Sequence, residues 1–274
     1  MVLRHAFVAL VLMAGSARAA AYDDYFNAIE AMRANKVDLA ITSYTSALNA
    51  GDLAPAYVPD AYVGRAKAYL MTQQCASALA DLDAALKLRS NYLQALVVRA
   101  NANSCLGKAD AALADWNAAI GISPIAGLYG ARAEYHWYRG EFALADDDYA
   151  QTIKLAPKNI YALLWLAISS GRAGTFDAAG FAKKVSDLDA DDWPAPLLDY
   201  IGGKTKADDV YRKAAAADGD MASKQKCEAD FYIGEWQLVG KDPAAKALLQ
   251  QAENECPHNF VEYQAAREDL KRVP

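Results

Sequence analysis

Small and large apolar residues recur along the chain with helical spacing and in nearly the same order. A large side chain follows the first alanine of each segment by four positions, and a small residue follows three positions later, which is one face of a helix. A period near 34 residues predicts stacked helical repeats, because one repeat cannot bury its apolar face alone. The aligned segments begin at Ala40, Ala78, Ala112, Ala145 and, more weakly, Ala179.

A second small residue precedes each of these segments by twelve positions. Between the two small positions lies a turn signal, such as Gly107-Lys108 or Gly140-Glu141. Each repeat therefore contains two antiparallel helices, with small residues where their backbones approach. These second small positions are Ala28, Ala66, Ala100, Ala133 and Ala167.

The repeats resemble the tetratricopeptide repeat (TPR), most closely at residues 93–125 and 126–159. A further repeat occurs at 231–257, with Gly234 and Ala245 as its small pair. The resemblance implies an all-α TPR solenoid of antiparallel helix pairs, with about six repeats and an irregular helical insert before the last. The expected divisions are repeats 1–5 at 21–192, a connector at 193–226, and a C-terminal repeat with a capping helix at 227–274.

The connector breaks the repeat period. Its sequence predicts a short helix at Leu197 to Ile201, then a Gly202-Gly203 turn and an amphipathic helix from Thr205 to Ala217. Such a stretch, followed by FYIG at 231 and HNFVEY at 258, resembles the NlpI-type periplasmic lipoproteins. That resemblance implies an adaptor that brings together peptidoglycan hydrolases and a protease.

The first twenty residues predict a secretory signal peptide rather than part of the fold. Arg4 is followed by an apolar run from Ala6 to Ala14 and a small-x-small site at Ala17 to Ala19. A buried N-terminal helix is the alternative interpretation. No cysteine directly follows the apolar run, in contrast to the lipoproteins, so we expect an exported, periplasmic chain without a direct membrane anchor.

Composition and charge restrict the possible partners. The chain has 274 residues, 54% of them hydrophobic, so it can bury a sizeable core. Acidic residues outnumber basic ones, 34 to 28, which argues against a nucleic-acid or anionic-membrane surface. The expected partner is a protein or a peptide, and the oligomeric state is left open.

Candidate catalytic chemistry is sparse, so we predict a protein that is not an enzyme. Beyond the first twenty residues the histidines are His136 and His258, and neither has neighbours at metal-ligand spacing. His136 is expected in the core. The acidic runs at 146–148 and 189–192 lack the spacing of a calcium loop and are expected to be solvated. We predict no metal and no cofactor; the alternative is an unrecognised active site in the 193–226 segment.

The superhelical groove is the predicted partner-binding surface, although the convex face is not excluded. The TPR resemblance places positions 2, 5, 9 and 12 of each first helix on the concave side. For Leu164 and Ile168, packing against the next repeat is an open alternative. The predicted groove residues are Lys67, Asn101, Glu134, Trp137, Tyr161, Leu164 and Ile168.

The four cysteines are expected to form two disulfides in an exported chain. Four cysteines allow three pairings, and the TPR register is what selects among them. It places Cys75 in the turn beside the end of the helix that contains Cys105, and Cys227 and Cys256 at the same end of one helix pair. We therefore predict Cys75 with Cys105 and Cys227 with Cys256, against the alternative of buried free thiols.

Overall fold

The computed structural model describes residues 20–188 and 190–273, and within these ranges the only regular secondary structure is α-helix. The chain divides into two compact units, Met1–Pro124 and Ile125–Pro274. The predicted signal peptide lies almost wholly outside the described residues. The first unit contains α1 (20–33), α2 (Val37–Asn49), α3 (Val58–Met71), α4 (Cys75–Leu88), α5 (Leu93–Cys105) and α6 (Ala109–Ile122).

The second unit begins with one more helix pair of the same kind and continues with helices that depart from the period. It contains α7 (Ala126–Tyr138), α8 (Phe142–Leu155), α9 (Ile160–Ala173), α10 (Ala178–Ser186), α11 (Ala195–Ile201), α12 (Ala207–Ala215), α13 (Asp220–Val239), α14 (Ala245–Glu255) and α15 (Val261–Leu270). This is the all-α arrangement of antiparallel helix pairs that the repeat pattern predicts.

The small residues lie where two helices of a pair approach, as the period predicts. In the last pair the backbones come so close that a β-carbon on Gly234 would lie 3.1 Å from the β-carbon of Leu248. The fifth repeat is the exception, because Ala179 is exposed and Phe181 is the buried residue of α10. Of the alanines at the predicted small positions, those at most 1% exposed are Ala28, Ala40, Ala66, Ala78, Ala100, Ala112, Ala133, Ala145, Ala167 and Ala245.

Arginine and aspartate side chains join the two helices of three successive repeats. The arginine of the first helix donates two parallel hydrogen bonds to an aspartate of the second, sixteen residues later. Paired, planar geometry of this kind is the strongest form of an ion pair. The closest N–O distances are 2.7 Å in Arg65–Asp81, 2.7 Å in Arg99–Asp115 and 2.6 Å in Arg132–Asp148.

The connector differs in detail from its sequence prediction. Its first helix is present as α11, and Gly203 has a left-handed φ of 73° in the turn that follows. The second helix begins at Ala207 rather than at Thr205. Then α13 begins at Asp220, well before Cys227, and runs for 20 residues. The connector therefore contributes the first turns of the long helix that carries Cys227.

Both predicted cysteine pairs are joined in the structure. The Cα atoms of Cys75 and Cys105 are 6.1 Å apart, and those of Cys227 and Cys256 are 5.0 Å apart. Both distances lie within the range of a disulfide. Each bond closes a loop within one unit. Each therefore restricts the conformational freedom of the unfolded chain in that unit alone.

Mild reduction is expected to open the two disulfides in a fixed order. Cys105 is exposed, whereas Cys227 and Cys256 are buried in the core of the second unit. Because thiol exchange needs access to a sulfur atom, the Cys75–Cys105 bond should be reduced first under native conditions. Alkylation followed by peptide mapping measures the order. Simultaneous labelling of all four cysteines without unfolding would contradict it.

Candidate functional site

A cavity of about 470 Å³ in the second unit is the candidate functional site. Residues of α7, α8 and α9 form one side of it, and α13 with the start of α15 form the other. We call it the acidic cleft, because three glutamates and no basic side chain line it. Its lining residues are Ala126, Gly127, Gly130, Ala131, Glu134, Tyr149, Thr152, Asn159, Tyr161, Ala162, Trp165, Glu228, Phe260, Val261 and Glu262.

Small residues on α7 leave the space that the cleft occupies. Gly127 is exposed, and a β-carbon there would meet no atom within 4 Å. One helical turn further, a β-carbon on Gly130 would lie 3.8 Å from the hydroxyl oxygen of Thr152. Side chains of ordinary size at these positions would fill the cleft from the α7 side. The glycines therefore open it to the surface.

Glu228 on α13 is held by two hydrogen bonds on one carboxylate oxygen. The indole N–H of Trp193 donates to its Oε2 at 2.6 Å, and the Tyr161 hydroxyl donates to the same oxygen at 3.0 Å. Burial raises the pKa of Glu228 although these bonds favour its charged form. The two hydrogen bonds thus fix the orientation of the carboxylate. They offset only part of the free energy that burial of its charge costs.

Glu262 and Glu134 complete the carboxylate set and are less well compensated. Glu262 is 4% exposed and accepts a hydrogen bond from the Tyr232 hydroxyl at 3.1 Å. Burial raises the pKa of Glu262 to about 7, with repulsion from Glu228 and Glu134 adding to the shift. Burial also raises the pKa of Glu134 to about 7. Both groups therefore change charge near neutral pH.

Aromatic rings form the apolar wall of the cleft. The rings of Tyr149 and Trp165 stack with their centroids 5.8 Å apart and an interplanar angle of 17°. Tyr149 is 2% exposed, yet its hydroxyl has no hydrogen-bond partner among the described residues. An unpaired hydroxyl in such a place costs free energy that a bound polar group would recover.

Two of the predicted groove residues line this cleft. Glu134 contributes a carboxylate, and Tyr161 is 39% exposed with its hydroxyl bonded to Glu228. In the first unit, Lys67 lines a separate cleft with Asp60 and Tyr92, and Asn101 is exposed. Burial lowers the pKa of Lys67.

The other three predicted groove residues lie in the core, which corrects their assignment to a partner surface. Trp137, Leu164 and Ile168 are each 0% exposed. The face of α9 that holds the two aliphatic residues is turned to α13, because Tyr161 bonds Glu228 and a β-carbon on Gly171 would lie 2.7 Å from Val239. The chain's own last helices therefore cover the concave side here.

Sequence reasoning did not identify three residues that line the cleft: Glu228, Glu262 and Trp165. The two glutamates come from the last helices, which return to α7 and α9 from far along the chain. The structure shows nine consecutive buried residues in α13, from Cys227 to Glu235, but three of them are acidic, so the sequence has no apolar run that predicts this burial. A helix buried on all sides must be enclosed by other helices.

Neither His136 nor any residue of the 193–226 segment lines the acidic cleft. His136 is 6% exposed and its Nδ1 lies 2.8 Å from Glu141, which agrees with the expected core position. In the connector, Thr205 lines a cleft with Asp199 and Asp209, and no histidine is among the lining residues. Across residues 20–188 and 190–273, no cluster of His, Cys, Asp or Glu could hold a metal ion.

The raised pKa values predict how stability depends on pH. A carboxyl group whose pKa is about 7 when folded and 4.5 when unfolded keeps its proton longer in the folded state. The stabilisation of the folded state that comes from this raised pKa is fully present below about pH 4.5. It is lost as the pH rises towards about 7. We expect the melting temperature of Glu134→Gln to fall less than that of the wild type between about pH 5 and pH 8. An equal fall in the melting temperatures of Glu134→Gln and the wild type would contradict this expectation. Glu253→Gln, which lies outside the cleft, is the control.

Comparison with known proteins finds a partial sequence similarity to an NlpI-type lipoprotein. No family model matches it. A curated relative, the lipoprotein NlpI homolog of Haemophilus influenzae, is 26% identical over 141 residues, or 50% of this chain and 45% of that protein. The match thus spans less than half the length of that relative. The chain is therefore similar in sequence to an NlpI-type lipoprotein over about half of its length.

Solved structures agree on the fold. A TPR protein from Parabacteroides merdae ATCC 43184 aligns with a TM-score of 0.60 and 16% identity, covering 92% of this chain and 99% of that one. The MamA protein aligns with a TM-score of 0.52 and 19% identity, covering 68% and 96%. At such identities the likeness shows the all-α TPR solenoid fold alone. No described helix combines the length and apolar character that a membrane span needs.

Proposed function

We propose that this TPR protein is an exported, non-enzymatic adaptor of the cell envelope that binds a polypeptide partner through the acidic cleft. TPR folds generally present surfaces for protein partners, and the NlpI homolog supports an adaptor role. That relative is a lipoprotein, which supports a location in the cell envelope. Two disulfides favour an oxidising compartment. The layout of residues 1–20 predicts export.

The observation that carries the proposal is the combination of space and uncompensated polar groups in one cleft. The volume of about 470 Å³ lies within the range of ligand sites. Glu134 makes no hydrogen bond or ion pair with another described residue, and the Tyr149 hydroxyl is equally unpartnered. Groups that cost free energy when left alone are those that a partner can satisfy. We infer that the partner's chain enters here.

Filling the cleft tests this assignment. Gly127→Phe places a ring at the mouth and should reduce the affinity for a captured envelope protein by at least about tenfold, since the side chain would occupy the partner's space. Helical Gly is unfavourable, so the substitution should not weaken the helix.

The matched control is Gly121→Phe in the first unit. Gly121 is also an exposed helical glycine, with no atom within 4 Å of a β-carbon, but it does not line the cleft. Its binding should equal that of the wild type. Equal binding by Gly127→Phe would assign the partner to another face, such as the convex one, and would end the proposal.

A further inference from the structure

The acidic cleft carries negative charge, and no basic side chain lines it to balance that charge. Of the residues that line it, Glu134, Glu228 and Glu262 are acidic and none is basic. Elsewhere in the second unit, buried carboxylates are paired with basic side chains, as Asp148 is with Arg132 and Asp230 with Lys226. The cleft carboxylates receive neutral tyrosine and indole donors at most. The missing counterpart is a cation.

The shape of the cleft favours one kind of cation. Carboxylates reach it from α7, α13 and α15, so an occupant needs several donors that point in different directions. A guanidinium has five N–H donors in a plane, whereas an ammonium is a compact point charge. The rings of Trp165 and Tyr149 line the same space, and aromatic rings hold guanidinium groups by stacking and cation–π attraction. The unpaired Tyr149 hydroxyl adds an acceptor.

We propose that the acidic cleft binds an arginine side chain of the partner polypeptide, with the guanidinium among the three glutamates and against the aromatic wall. The inference rests on the proposed function, because it names the chemistry by which the same cleft selects its partner. Binding must then weaken as the pH falls below about 7, since Glu134 and Glu262 become neutral there. The other titratable groups that line the cleft are Glu228, Tyr149 and Tyr161.

Short peptides test the proposal without knowledge of the partner. The probes are acetyl-Ala-Arg-Ala-amide and its citrulline analogue, which has nearly the same shape and no charge, added to the full chain. The reporter is the indole N–H resonance of Trp193, because that group donates to Glu228. At pH 8 and low salt we expect a saturable shift with the arginine peptide, and at least about tenfold weaker binding of the citrulline peptide.

Two charge-removing variants locate the effect. Glu134→Gln removes a charge that has no hydrogen bond to lose, and should weaken binding of the arginine peptide by at least about fivefold. Glu253→Gln on α14 lies outside the cleft and should bind as the wild type does. Thermal melting of both variants controls for loss of fold.

Several results would overturn the proposal. These are equal binding of the two peptides, no saturable shift at millimolar arginine peptide, and unchanged binding by a folded Glu134→Gln variant. A lysine peptide that binds as tightly as the arginine peptide would overturn the guanidinium assignment. Failure here is distinct from failure of the proposed function: if Gly127→Phe blocks a captured partner whose binding survives replacement of its arginines, the cleft binds a partner but not through arginine.

Discussion

Replacement of Trp137 by alanine is expected to lower the free energy of unfolding by about 3 to 5 kcal/mol. Trp137 is 0% exposed, and its ring packs edge-on against Trp165 and Phe142 with centroids 5.0 Å and 4.9 Å away. Alanine would leave a cavity and would remove the indole N–H that donates to Asp269 at 2.8 Å. Denaturant unfolding, followed by circular dichroism, measures the loss.

Trp137→Phe separates the two contributions. Phenylalanine keeps one aromatic ring but loses the hydrogen bond to Asp269 and part of the indole volume, so its effect should be clearly smaller than that of alanine. Tyr161→Ala is the surface comparison, because Tyr161 is 39% exposed and a loss there should appear in partner binding more than in stability. An alanine variant at 137 with wild-type stability would contradict the core placement of this side chain.

Loss of the Arg172 guanidinium is expected to lower the free energy of unfolding by roughly 3 to 5 kcal/mol, as much as Trp137→Ala. Arg172 bonds Glu235 at 2.6 Å and lies 3.7 Å from Asp269, and the side chains of both carboxylates are 0% exposed. Arg172→Met keeps an unbranched apolar chain close to the backbone and removes the charge. Glu235 would then be a buried carboxylate without its cation, while Asp269 would keep Arg272 at 2.9 Å.

A double variant shows whether the uncompensated charge is the cause. In Arg172→Met combined with Glu235→Gln, the buried charge is absent, so stability should recover in part relative to Arg172→Met alone. Burial and the nearby Asp269 already raise the pKa of Glu235. The defect of the single variant should therefore shrink as the pH falls, because the carboxyl group becomes protonated. An equal defect at low and neutral pH, with no recovery in the double variant, would indicate lost packing instead.

The sequence predicted the local architecture well because that architecture is periodic. The small residues that define a helix pair, such as Ala133 and Ala145, are twelve positions apart and buried together. The cysteine pairs followed from the same register, since each closes about thirty residues between neighbouring helices. The predicted small-residue contact was wrong for the fifth repeat, where Ala179 is exposed, because the match of that repeat to the pattern was already weak.

The cleft was predictable only in part, for a reason that Glu134 and Trp137 show together. They lie three residues apart on α7, and the TPR resemblance assigned both to one groove. In the structure Glu134 lines the cleft, whereas Trp137 is enclosed and bonds a residue 132 positions later. Spacing within a helix states which side chains share a face, but it does not state what will cover that face.

By itself the sequence determined the helices, their pairing and their small-residue contacts, since these depend on residues less than about forty positions apart, within one repeat period. Only the tertiary structure decided that α13 and α15 return to α9 and α7, which buries Leu164 and Ile168 and brings Glu228 and Glu262 to face Glu134. The physical reason is that this return joins residues 67 to 132 positions apart. Contacts at such separation leave no periodic trace in the chain, because they arise from the packing of whole helices.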